Sequence, residues 1–201
     1  MRPDSPYQLP ADLPAPVDDG AARHLVGMTL PPVALPSSSG GQVRLDDESI
    51  PLTVVYCYPR TAGPNEEPLG GWAFWNSIPG ARGCTPQSCA YRDRHLEFQT
   101  VGARVYGVST QTQEQQRETA TRLGLPFELL SDATGEWSSR LNLPCFEVDG
   151  VRLLKRATLL VRHGRIVHCI YPVFPSDKDA ETVIAWIHSN VSRSPTARAQ
   201  S

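Results

Sequence analysis

The sequence predicts an α/β domain in which helices flank a central mixed β-sheet. Three observations carry this. Residues 53–58 (TVVYCY) form a wholly apolar, β-branched and aromatic run, the character of a strand buried on both faces. Strand-like runs then alternate with polar, helix-favouring stretches, the pattern of a partly parallel sheet. The chain closes with a two-strand hairpin and an amphipathic helix.

Taken in order, residues 1–24 are rich in Pro, Asp and Ala and read as an extended arm with little order of its own. Residues 25–189 form the predicted domain. Its prolines make 30–35 extended, the run from Ser37 to Gly41 is a turn, and 42–45 is a short strand. Pro59 ends the strand 53–58. A Gly- and Pro-rich stretch follows as far as Arg82, long for a loop inside a domain and so a candidate functional segment. Thr85-Pro86 marks a helix start, Pro being tolerated in the first turn, and this helix runs to Thr100. Residues 104–109 (RVYGVS) read as a strand. Residues 112–123 read as a helix stopped by Gly124 and Pro126. A short strand at 127–130 and a short helix at 135–141 come next. Residues 155–162 and 165–171 pair as a hairpin around His163-Gly164. The last helix, 178–188, puts Ala180, Val183, Ile184 and Ile187 on one face. Residues 190–201 are polar and read as a disordered tail. This order is consistent with a thioredoxin-like arrangement.

A chain of 201 residues suits one domain with tails. Hydrophobic residues make up 40% of it, and its 19 prolines gather near the N-terminus, so the middle can still build a full core. The net charge is −2 and no basic stretch stands out, which argues against nucleic acid as a partner. No apolar run approaches the roughly 20 residues a bilayer span needs. The N-terminus lacks the apolar region of a secretory signal, so a cytoplasmic protein is expected. In that reducing compartment structural disulfides are rare. Cysteines close together among the five present then point to catalysis, redox chemistry or metal binding.

The informative segment is GARGCTPQSCAYRD, residues 80–93. Cys84 falls at a predicted helix start, where unpaired first-turn amides and the positive end of the helix favour a thiolate. Arg82 is close in sequence and acts in the same direction. Cys89 follows five residues on. In a straight helix two such Cα atoms lie about 8.7 Å apart, whereas a disulfide needs less than about 7 Å. If the pair bonds, the first turns must unwind. The residues alone leave other readings open. Both cysteines are ordinary small helix residues on one of them. On another they are zinc ligands, with His95 the nearest additional candidate. A CxxC motif is excluded by the spacing.

The run GCTPQSCAYRD resembles the active-site motif of the peroxiredoxin Q family, also called bacterioferritin comigratory protein. VVYCYPR is similar to that family's strand ending in Tyr-Pro, and VYGVST to its next strand. LGLPFELLSDATGEWSSRL and KRATLLVRHGRI are similar to two further family segments. The resemblance spans residues 27–188. It implies a thioredoxin-like fold and a thiol peroxidase acting on hydrogen peroxide and organic hydroperoxides. Cys84 would attack the peroxide, and Cys89 would resolve the product as an intrachain disulfide. Thioredoxin or a glutaredoxin-type dithiol would then reduce it. Arg156 corresponds to the arginine lying against the reactive sulfur. Pro59, Gly83 and Thr85 are expected to border the substrate. No metal or organic cofactor is implied, because sulfur carries the oxidation. The protein is expected as a monomer or homodimer.

One departure stands out. The family has a Pro seven residues and a Thr three residues before the reactive Cys, where this chain has Ser77 and Ala81. Residues 62–82 read as an insertion, and the fold is expected to bring Thr61 back beside Cys84, with Thr85 as second choice. Trp72, Phe74 and Trp75 in the insertion are read first as anchors on the core or at a dimer interface, and second as a lid over Cys84. Cys57 and Cys169 read as buried strand residues, and Cys145 as a loop thiol. The altered positions also raise a second function, a peroxide-sensing thiol switch that passes its disulfide to a partner protein with little turnover. A third is a binding module on the same fold without catalysis.

Overall fold

The computed structural model describes residues 7–63 and 66–191. Its element order is β1 (Ala34–Pro36), β2 (Gln42–Arg44), β3 (Thr53–Cys57), α1 (Gly71–Ser77), α2 (Cys84–Asp93), α3 (His95–Thr100) and β4 (Arg104–Ser109). These are followed by α4 (Gln113–Leu123), β5 (Glu128–Ser131), α5 (Glu136–Arg140), β6 (Cys145–Val148), β7 (Val151–Leu154), β8 (Ala157–Arg162), β9 (Arg165–Ile170) and α6 (Asp179–Val191).

The central sheet has the order β5-β4-β3-β8-β9. β3 pairs in parallel with β4, and β4 with β5, while β8 runs antiparallel to both β3 and β9. All five residues of β3 are buried, as its uniformly apolar sequence requires of a middle strand. Its side chains alternate between two cores. Val55 and Cys57 join Val108, Trp137, Leu141, Leu154 and Leu159 on one face. Val54, Tyr56 and Tyr58 join Cys84, Tyr91, Phe98, Leu129 and Val183 on the other. The buried apolar residues of α6 are Ala180, Val183, Ile184 and Ile187, the face its periodicity marks.

Local chemistry explains the element ends. Thr112 caps α4 with a capping box that includes Gln115, and Gly124 closes the helix at φ 59°. Gly107 in β4 has no room for a side chain, because a Cβ there would come within 2.6 Å of the Tyr56 ring.

Four expectations are corrected. The long stretch before Arg82 contains a helix, α1. The helix expected from Thr85 to Thr100 is two helices, α2 and α3, broken at Arg94. Residues 145–154 form an unforeseen hairpin, β6 with β7, so Cys145 lies in a strand rather than a loop. The last helix reaches Val191, so the expected tail begins later. What remains of that tail, and the first six residues of the arm, lie outside the described residues.

Residues 7–24 form no helix or strand, yet they are held against the domain. Asp19 meets Lys155 Nζ at 2.6 Å and accepts from the Tyr171 hydroxyl at 2.9 Å. The Lys155 contact leads the causes that hold the Asp19 carboxyl down at about 2. The His24 ring is 2.9 Å from the Leu141 carbonyl oxygen. Among the described residues, no helix is long and apolar enough to cross a membrane.

Candidate active site

Cys84 is the first residue of α2, and Gly83 caps the helix at φ 108°, a conformation that favours glycine. The Gly83 carbonyl accepts from the Gln87 amide at 3.0 Å and from Ser176 Oγ at 2.9 Å. No side chain caps α2, so the positive end of the helix is directed at the Cys84 region.

The Cys84 sulfur is 5% exposed at the residue level and lies 3.3 Å from Arg156 Nη2. It also lies 3.7 Å from the Ala81 carbonyl oxygen. Arg156 immediately precedes β8 and is itself buried. Its Nη2 also approaches the carbonyls of Gly80, Ala81 and Arg82, each at 3.3 Å. Its Nη1 donates to Gln87 Oε1. One guanidinium therefore gathers the loop before α2 and presents positive charge to the sulfur.

A cavity of about 50 Å³ opens at Cys84. One water needs about 10–15 Å³ on this measure, so the space has room for about three to five water-sized groups. Its wall includes Thr61, Gly83 and Thr85, and also Arg60, Trp72 and Gln8. Thr61 thus returns to Cys84 across the inserted residues. Gln111 holds it there, accepting from the Thr61 amide at 2.8 Å and donating to the Thr61 carbonyl at 3.0 Å. The Thr61 hydroxyl is buried near the Tyr58 hydroxyl and belongs to a residue on the cavity wall. Pro59 is buried and stands outside that wall.

The aromatic residues of α1 divide between the two roles weighed for them. Trp75 is buried with Ala81, Val148 and Leu153, near the Phe146 ring, and so anchors the insertion. It also reaches the cavity wall, as does Trp72, whose ring lies 5.3 Å from the Arg82 guanidinium carbon. Phe74 is half exposed.

Cys89 lies inside the same unbroken helix, is buried, and has its thiol pushed up by that burial. All five cysteines are free thiols. Cys57, Cys145 and Cys169 pack in the core on the opposite face of the sheet from Cys84. His95 packs at 6.0 Å from the Phe127 ring. Among the described residues, no three His, Cys, Asp or Glu side chains are grouped to hold a metal.

Several residues here gave no signal in the sequence. Arg60, Gln8 and Gln111 reach the site only through the fold. Gln87 was within reach, since position i+3 from Cys84 lies on the same helix face.

Comparisons with known proteins agree with this geometry. The model of the AhpC/TSA family matches residues 64–169. Peroxiredoxin Q of the chloroplast of Sedum lineare is 30% identical over 150 residues, covering 75% of this chain and 70% of that one. Peroxiredoxin Bcp of Escherichia coli is 27% identical over 168 residues, covering 80% of this chain and 94% of that one. The crystal structure of peroxidoxin BcpB from Mycobacterium tuberculosis superposes with a TM-score of 0.66 at 25% identity, covering 82% of this chain and 97% of that one. On these grounds the chain belongs to the AhpC/TSA family, as a thioredoxin-fold peroxiredoxin of the Q/Bcp kind and a thiol peroxidase.

Proposed function

We propose that Cys84 is the thiol that attacks peroxide and that Cys89 resolves the product. The observation that carries this is the contact of Cys84 Sγ with Arg156 Nη2 at 3.3 Å, at the start of a helix and at the mouth of a cavity of peroxide size. The Cys84 thiolate displaces one peroxide oxygen, forming a sulfenic acid and releasing water or an alcohol. Arg156 stabilises the thiolate and donates to peroxide oxygen as charge builds there. Thr61 supplies the hydroxyl that orients the peroxide, and Gly83 and Thr85 bound it. Hydrogen peroxide fits whole. A bulky organic hydroperoxide keeps its substituent outside, towards Trp72.

The Cys89 thiol then attacks the sulfenic sulfur, a disulfide forms, and water leaves. The two Cα atoms are about 8.7 Å apart in an intact helix, so the first turns of α2 unwind before this step. A dithiol of the thioredoxin or glutaredoxin type restores both thiols. Residence in the cytoplasm fits the five free thiols. The thiol-switch reading rested on Ser77 and Ala81, and Thr61 on the cavity wall supplies the hydroxyl it took to be missing.

The test is direct. The reduced protein receives one equivalent of hydrogen peroxide, is quenched with an alkylating agent and is digested with trypsin. Cleavage at Arg82 and Arg92 releases residues 83–92 with both cysteines. The expected peptide has lost two hydrogens and carries no alkyl group. Cys84→Ser should end turnover, and Cys89→Ser should consume one equivalent and stall. Free thiols in the wild-type peptide would remove the assignment.

A further inference from the structure

Arg156 can act on Cys84 only while its guanidinium is held in place, and the structure shows what holds it. Nη1 donates to Gln87 Oε1. A guanidinium offers only donors, so Gln87 must turn its oxygen towards it. The Gln87 amide nitrogen then faces the other way, and it donates to Asp179 Oδ2 at 2.7 Å. That same oxygen accepts from Thr158 Oγ1 at 2.7 Å and from the Tyr91 hydroxyl at 2.9 Å. The three donors come from α2 and β8, the two elements that carry Cys84 and follow Arg156.

Asp179 opens α6, is 2% exposed and, among the described residues, makes no ion pair. A buried carboxylate costs folding free energy unless donors hold it, and here three side chains donate to one of its oxygens. If the Gln87 amide were reversed, its NH₂ would face the guanidinium and its oxygen the carboxylate, and both contacts would be lost. The carboxylate therefore fixes which way the amide points. Asp179 also lies beyond residues 64–169, where the family match ends.

We propose that Asp179 is a positioning residue which, through Gln87, holds the Arg156 guanidinium against Cys84 and so sets the rate of the peroxide reaction. This rests on Cys84 being the reacting thiol. Asp179 touches neither the sulfur nor the cavity.

The experiment compares two rates at one pH for the full chain. The first is reaction of Cys84 with hydrogen peroxide, which needs the aimed guanidinium. The second is alkylation of Cys84 by iodoacetamide, which needs the thiolate only. Asp179→Ala should slow the peroxide reaction by about 10- to 100-fold and slow alkylation clearly less, by only what the thiolate loses when the guanidinium shifts. Asp179→Asn keeps an oxygen that accepts from Gln87 and should restore most of the peroxide rate. Gln87→Met keeps the volume but neither hydrogen bond. It should lose as much as Asp179→Ala, and the double variant should lose no more than either. Should Asp179→Ala fail to fold, Gln87→Met alone decides, because it leaves the bonds of Asp179 to Tyr91 and Thr158 intact. Peroxide rates at the wild-type level in Gln87→Met or Asp179→Ala, losses that add in the double variant, or equal losses in both reactions would overturn the inference. A wild-type protein whose Cys84 ignores peroxide would instead remove the proposed function, and this inference with it.

Discussion

Thr61 carries a buried hydroxyl on the cavity wall, near the Tyr58 hydroxyl. Under the proposed function it is the group that orients the peroxide. Thr61→Val keeps the shape and removes the hydroxyl, so it should change the thermal midpoint little while slowing Cys84 oxidation about 10- to 100-fold. Thr61→Ser should keep most of the rate. Stopped-flow oxidation and a thermal melt of the same variants check both halves, and a Val variant that reacts at full speed would take Thr61 out of the mechanism. At this scale much was readable. The cysteine pair, Arg156 and the candidacy of Thr61 all came from residue types in recognisable runs. Gln111 and Asp179 did not, because a side-chain amide or carboxylate looks the same in sequence whether it is solvated or buried.

Among the elements, α2 is the one that must both hold and let go. Its cap, Gly83, is closed in from two sides. A Cβ there would come within 2.2 Å of Ser176 Oγ and 2.7 Å of Leu9 Cδ1, at a φ of 108°. Gly83→Ala should lower stability by about 1–3 kcal/mol, read as a fall in the denaturant midpoint, and should shift Cys84 from Arg156. An Ala variant of unchanged stability would show that the loop yields easily. The boundaries of α2 also show where sequence reading ends. Its break from α3 at Arg94 has no Gly or Pro to announce it. Helix α1 has seven residues and begins at a pair of glycines at positive φ, its cap Gly70 and its first residue Gly71, too short for periodicity to register. The β6–β7 hairpin is different, since Asp149 and Gly150 turn it with φ of 51° and 75°. An Asp-Gly pair between apolar runs is a hairpin signal, and it was there to be read.

The molecule as a whole buries thiols on both faces of its sheet. Burial pushes Cys57 well above the ordinary 9.0, Cys169 up to about 12, and Cys89 upward. In the unfolded chain these groups lose their protons near pH 9, while the folded protein keeps them. The unfolded state is thus favoured as pH rises, so stability should be full below about pH 8.5 and decline above it. Thermal midpoints between pH 7 and 11 check this, and Cys169→Ala should flatten the decline. A midpoint that holds steady to pH 11 would contradict the burial argument.

What the sequence determined by itself was the α/β class, the order of most elements, the face of α6 that enters the core and the five-residue spacing of Cys84 and Cys89. Those follow from local periodicity, turn chemistry and motif runs, each readable within a few neighbouring residues. Tertiary structure alone decided that Thr61 borders the cavity despite the insertion, that residues 7–24 lie against the loop before α2, and that Asp179 reaches Arg156 through Gln87. These contacts join residues from 20 to 95 positions apart, between Thr61 and Ala81, Gly83 or Cys84 on one wall and between Asp179 and Cys84 through the relay. Nothing local encodes them, because they exist only once both faces of the sheet have been covered and the buried polar groups must find one another.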